Sequence, residues 1–307
     1  MIGINIGDLC TTNPWKTDKI VKKLSKLKYE KVKFWHSDPI KISSILKDTG
    51  IKEVYLHMSN VEFVKHQNFE AWIIKNVYPI VDRFRDKKFC VVVGNEVLAP
   101  WNSDKYADKI VNALRSCYNA LRKVGLSNVN VVTPLDLSCL ACSYPPSSAK
   151  FITNDIIKNI VQFAVDTHSV LCFNIYPFFA RSHVQENFAL FEENTGYIDR
   201  GNKYTNLFDA QYDSIVWAIQ KLGVRGSDKI ALVCTETGWP SGGAPGATPE
   251  NMSKYVKGVS KVAENGTPLR PGPKDIFLFE LYDENLKDGP EYEKYFGLFK
   301  ECGQTKF

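Results

Sequence analysis

Two glutamates stand at the carboxyl ends of two short apolar runs. Glu96 closes Phe89-Cys90-Val91-Val92-Val93-Gly94-Asn95, and Glu236 closes Ile230-Ala231-Leu232-Val233-Cys234-Thr235. Short Val-rich runs without polar alternation read as fully buried parallel strands. A side chain just past such a strand lies on the rim where α/β barrels carry their chemistry, not in the packed core. Two carboxyl groups on that rim are the minimum equipment for cleaving a glycosidic bond. A lone glutamate there reads equally well as a helix cap or as the partner of an arginine. Two in equivalent positions, one preceded by Asn95 and the other followed by Trp239, argue for chemistry.

Other chemistries find little support. His36, His57, His66, His168 and His183 show no metal-ligand spacing, and Cys139 and Cys142 form a single CxxC without a second pair. That pair reads as a loop disulfide or two free thiols, and no metal is expected. No Gly-x-Ser-x-Gly elbow and no Gly-rich phosphate loop occur, so neither a serine hydrolase nor a nucleotide or other cofactor is indicated. The chain carries a net charge of +5 with 24% charged residues. Its lysines are scattered, as at positions 16, 19, 22, 23 and 26, without the aromatic-interleaved basic stripe of a nucleic-acid binder. No apolar run reaches the ~18 residues of a membrane span. Met1 leads straight into a strand-like Ile2-Gly3-Ile4-Asn5-Ile6, with no signal peptide.

The elements that must hold the glutamates follow from periodicity. Eight strand-like segments fall at 2–6, 31–35, 53–58, 89–94, 130–135, 170–175, 229–234 and 276–281. Helical patterns lie between them, clearest at 17–27, 104–124, 153–165 and 208–222. Eight βα units in unbroken succession predict a closed (β/α)8 barrel over residues 1–307, a single domain and a monomer. One connection, residues 177–206 after the sixth strand, is too long for a plain loop and predicts a small excursion over the rim. The loop Gly242-Gly243-Ala244-Pro245-Gly246 is a second rim feature.

The motifs Gly94-Asn95-Glu96-Val97, Phe173-Asn174-Ile175-Tyr176-Pro177-Phe178-Phe179 and Thr235-Glu236-Thr237-Gly238-Trp239-Pro240-Ser241 occur in that order. Thr267-Pro268-Leu269-Arg270-Pro271-Gly272, Asp283-Glu284-Asn285-Leu286-Lys287 and Phe296-Gly297-Leu298-Phe299 follow them, and Leu207-Phe208-Asp209-Ala210-Gln211-Tyr212-Asp213 lies between. Together they resemble the plant endo-1,3-β-glucanases of glycoside hydrolase family seventeen, nearly end to end. The resemblance implies retaining hydrolysis of β-1,3-glucan, with Glu96 as acid/base and Glu236 as nucleophile. It also implies substrate contacts from Asn95, Asn174, Tyr176, Phe179, Trp239, Glu284, Lys287 and Glu293, and a secreted or cell-wall location. A transglucosylase, or a glucan-binding protein without turnover, would share much of this constellation.

Three departures stand out. Ile6-Gly7 replaces an aromatic-Gly pair, which leaves one stacking platform empty if residue 6 faces the cleft. Trp35-His36 stands where the family carries Tyr or Phe with a small polar residue. Glu280 replaces a small residue on a strand face shared with Glu284; a carboxyl group there must be paired or neutral, and Lys33 is the expected partner.

Overall fold

The structure, a computed structural model, describes residues 1–10, 17–65, 68–152 and 154–306. His66 and the first residue of the helix expected at 153–165 lie outside them. One parallel sheet runs through Ile2–Ile6, Lys31–Phe34, Glu53–Met58 and Lys88–Val93, the first four strands. The fifth strand is split at Thr133. Its first half, Asn130–Val132, pairs with the fourth strand, and its second half, Pro134–Asp136, pairs with the sixth, Leu171–Asn174. The seventh strand, Leu232–Thr237, and the eighth, Ile276–Leu278, complete the ring by pairing back to the first. The expected (β/α)8 barrel is therefore present and closed.

Side chains alternate between two apolar compartments. Tyr55, Cys90, Val92, Val132, Cys172, Val233 and Phe277 fill the barrel interior, while Ile4, Ile6, Val32, Phe34 and Leu56 join the large core under the helices. Ile6 thus faces the helix layer and not the cleft, so its replacement of an aromatic empties no sugar platform. Strand two carries two inward lysines. Lys31 sits at the barrel floor, paired with Glu53 at 2.8 Å and Asp275 at 2.6 Å; Lys33 points to the catalytic end.

Several boundaries differ from the periodicity. The seventh strand begins three residues later than expected because Ser227–Lys229 forms a 3-10 turn. It also runs on to Thr237, three residues past the expected end, so Glu236 lies within the strand. The helix expected at 104–124 is broken into Ser103–Tyr106 and Ile110–Lys123. After the eighth strand, the described residues hold only a 3-10 turn, Glu291–Tyr295, so the eighth unit lacks its helix. The C-terminal segment takes that place: Lys23 donates to the Gly303 carbonyl at 2.8 Å and lies 4.1 Å over the Phe299 ring.

The 177–206 excursion folds into the short helices Pro177–Ala180 and Glu186–Ala189 and an antiparallel hairpin, Tyr197–Asp199 with Asn202–Tyr204. Arg181 donates to the Pro245 carbonyl, and Asn251 bridges Glu186 and the Gly246 carbonyl. The excursion and the 242–246 loop are therefore tied into one wall.

Gly238, directly behind the strand that carries Glu236, has no room for a side chain: a Cβ there would lie 2.4 Å from the Phe279 carbonyl oxygen. Gly238→Ala should cost about 1–3 kcal/mol of stability through forced backbone movement, read as a lower denaturant midpoint. A midpoint equal to wild type would refute the close approach.

Candidate active site

Glu96 sits three residues past the fourth strand in a turn that the sequence pins from several directions. Gly94 takes φ +66°, and Glu96 itself takes φ +51°, a left-handed backbone seldom adopted by a residue with a side chain. Asn60 clamps the turn by accepting from Asn95 N at 2.8 Å and donating to Asn95 O at 2.9 Å. Glu96 N donates to the Pro134 carbonyl at 2.9 Å, so the second half of the split fifth strand fixes the Glu96 backbone. Glu236, in contrast, is delivered by regular strand geometry with a local register shift.

The two carboxyl groups meet at Asn174. Its Nδ2 lies 2.8 Å from Glu96 Oε1 and 2.9 Å from Glu236 Oε1, with Asn95 Oδ1 at 3.2 Å. Two oxygens sharing one nitrogen cannot lie farther apart than those two bonds laid end to end. That limit on the nearer oxygens is compatible with the ~5–5.5 Å pairs of retaining glycosidases. Thr235 donates to Asn174 Oδ1 at 2.9 Å, which orients the amide with its NH₂ toward the carboxyls.

Glu236 is further held by Lys33, 2.6 Å from Oε1 and fully buried, and by the Tyr176 hydroxyl, 3.0 Å from Oε2. Glu96 has no cation of its own. Burial, then repulsion from Glu236 and Asp136, pushes its carboxyl up from 4.5 to about 8, against the Asn174 hydrogen bond and Lys33. The environments separate the pair: one glutamate faces a lysine and a phenol, while the other keeps its proton through neutral pH.

The rest of the expected site divides. Glu284 lies beside Gly7, accepting from Leu9 N at 2.9 Å. Lys287 pairs with Glu293 at 3.2 Å and stands 4.1 Å over the Phe279 ring. Burial alone would lower the Lys287 pKa; Glu280, Glu293, Glu284 and Glu236 together raise it. Phe179 is 49% exposed and packs against Tyr176 and Tyr292, presenting one open ring.

Trp239 overturns its expectation. It is 0% exposed, donates to the Gly246 carbonyl at 2.9 Å and packs edge-on to Phe178 at 5.2 Å. A ring with no open face cannot stack on a sugar; Trp239 anchors the 242–246 loop from below.

Lys33 also departs from expectation, since it serves Glu236 and not Glu280. Glu280 is 1% exposed, and burial, reinforced by Glu284, holds its carboxyl well above the ordinary range. Cys139 and Cys142 are both free thiols, and no metal-binding cluster occurs among the described residues. Lys33, Asn60 and Thr235 are the positioning residues that the sequence alone did not reveal. Strand parity places Lys33 inside the barrel, but parity cannot say which carboxylate it meets.

A profile described as glycosyl hydrolases family 17 matches residues 2–307. The chain belongs to this family. Among curated proteins, this family 17 chain is 36% identical over 270 residues to the potato (Solanum tuberosum) "glucan endo-1,3-beta-glucosidase, basic isoform 1", covering 83% of this chain and 77% of that relative. Among solved structures it is similar to CJP38, a β-1,3-glucanase and allergen of Cryptomeria japonica pollen. That match has a TM-score of 0.90 and 31% identity, covering 100% of this chain and 97% of the other. A plant β-glucan endohydrolase structure also superposes, with a TM-score of 0.84 and 27% identity over 99% and 98% of the two chains.

Two outcomes follow for this family 17 site. Because the Glu96 pKa is raised above its ordinary value, the acid stays protonated through neutral pH and loses its proton as pH rises through about 8. The pH profile of kcat/KM should therefore fall above about 8, and this limb should vanish in Glu96→Gln; a basic limb retained in that variant would assign it elsewhere. Lys33→Met strands a buried carboxylate. It should cost about 3–5 kcal/mol of stability and lower kcat/KM by about tenfold or more. Lys33→Arg should recover part of both. Wild-type melts and kinetics for the methionine variant would show that the 2.6 Å pair is dispensable.

Proposed function

We propose that this family 17 glycosyl hydrolase cleaves β-1,3-glucan within the chain and retains anomeric configuration. One observation carries the proposal: the Asn174 amide contacts both carboxyl groups, one of which keeps a proton while the other faces Lys33 and Tyr176. The names of the relatives support the linkage.

The steps follow from the geometry. Glu236 attacks the anomeric carbon while Glu96 passes its proton to the departing glycosidic oxygen, giving a covalent glycosyl-enzyme. Glu96, now a carboxylate, takes a proton from water, whose oxygen attacks the same carbon and releases Glu236. Lys33 and Tyr176 oppose the charge on Glu236 before attack and after release. Asn174 keeps the two carboxyl groups in register throughout, and Asn95 beside it is placed to meet a sugar hydroxyl. Tyr176 and the open ring of Phe179 supply an aromatic wall, since sugar C–H faces pack on aromatics. Glu284, Lys287 and Glu293 offer polar groups for hydroxyls on the far side. No helix among the described residues is long and apolar enough to cross a membrane. In this reading the chain acts in the cell wall or another extracellular space, as a monomeric, one-domain enzyme.

Glu236→Gln should remove nearly all turnover on soluble β-1,3-glucan without loss of fold. Glu96→Ala, given azide and a substrate with an activated leaving group, should form the azide of retained configuration; Glu236→Gly should form the inverted one. Retention of more than a few per cent of turnover by Glu236→Gln, or exchanged stereochemistry between the variants, would reverse or remove the assigned roles.

A further inference from the structure

The loop that carries Glu96 also carries an exposed indole. Trp101 is 63% exposed and makes no ring contact with any described residue. The other described tryptophans differ: Trp72 and Trp239 are buried, and Trp35 and Trp217 are half-buried. A single exposed apolar ring is ordinary on a protein surface; what sets this one apart is its place, on the same hydrogen-bonded loop as Glu96.

The loop is not loose. Ala99 N and Asn102 Nδ2 both donate to the carbonyl oxygen of Glu96 at 3.1 Å. Asn102 N and Ser103 N then return to Ala99 O at 2.8 Å. Trp101 is the residue next to that Asn102 clamp, so its backbone is fixed relative to the acid. An aromatic held on a rigid support loses little freedom when a ring lands on it.

The chemistry sets the side on which it lies. Glu96 gives its proton to the leaving oxygen, while Glu236 keeps the glycosyl unit. Residues borne on the Glu96 loop therefore flank the departing part of the polysaccharide. We infer that Trp101 forms a stacking platform for a glucosyl ring on the leaving-group side of the scissile bond, beyond the ring bonded to the departing oxygen. This inference rests on the hydrolase reading above and extends it. Phe179, 49% exposed after the sixth strand, is the open ring that the site already holds; Trp101 adds a second one on the fourth-strand side.

The test compares two substrates in wild type, Trp101→Ala and Trp101→Phe. One is a β-1,3-linked hexasaccharide, which fills the leaving-group side with sugar. The other is an aryl β-1,3-linked disaccharide, whose leaving group is only the aryl ring. Hexasaccharide products formed in ¹⁸O-water are sized by mass spectrometry, so the bond cleaved is known. For Trp101→Ala the ratio of kcat/KM on hexasaccharide to that on the aryl substrate should fall about two- to tenfold. Cleavage should also shift toward bonds that place fewer sugars on the leaving side. Trp101→Phe should keep most of the ratio. An unchanged ratio and bond pattern in Trp101→Ala, or equal losses on both substrates, would overturn the platform while leaving the hydrolase reading intact. Wild-type enzyme idle on the hexasaccharide would overturn both.

Discussion

A single amide holds the site together. Asn174 Nδ2 reaches a carboxyl oxygen of each glutamate, and everything around it serves to keep those contacts possible. Two carboxylates this close repel strongly unless one takes a proton. The protein settles the competition with one buried cation. Lys33 lies against Glu236 at 2.6 Å, while at Glu96 burial and repulsion outweigh the Asn174 hydrogen bond and the more distant Lys33.

That arrangement draws on several strands at once. The second strand brings Lys33, the sixth Asn174, and the seventh Glu236 and Thr235. The fourth brings Glu96 only through a strained turn, which Asn60 and the Pro134 carbonyl hold. The division at Thr133 matters here, because the half-strand that closes the barrel also supplies the acceptor for Glu96 N. Barrel closure and placement of the acid are thus one event. The polar groups beyond the pair follow a looser logic: Glu284, Lys287 and Glu293 come from the irregular segment after the eighth strand, where side chains are not aligned by a sheet.

Much of this was legible in the sequence. Both glutamates, the barrel and the excursion follow from apolar runs and from the order of motifs. What stayed hidden depended on register and depth. Strand parity turns Lys33 inward but does not say that it meets Glu236 rather than Glu280, and the outward turn of Ile6 shows only once the strands are paired. Trp239 follows a strand end as a cleft aromatic would, but the 242–246 loop folds over it and removes its open face. The apolar stretch before Glu236 starts at Ile230, yet a 3-10 turn at Ser227–Lys229 delays the strand, a local choice that periodicity does not encode. The missing last helix was illegible for a related reason: the C-terminal segment covers its site through contacts far apart in the chain.

Strand two carries its two lysines two residues apart, one at each end of the barrel's dry interior, about 7 Å along the strand. Lys31 finds Glu53 and Asp275 at the floor, and Lys33 finds Glu236 at the top. The strand works as a key with two teeth. A slip of one residue turns both lysines into the apolar helix layer, and a slip of two leaves one tooth without its ward. The ion pairs at the floor therefore proofread the alignment of the nucleophile's partner from the opposite end of the barrel. An error there reaches the chemistry as misregistration, with no contact to the polysaccharide at all.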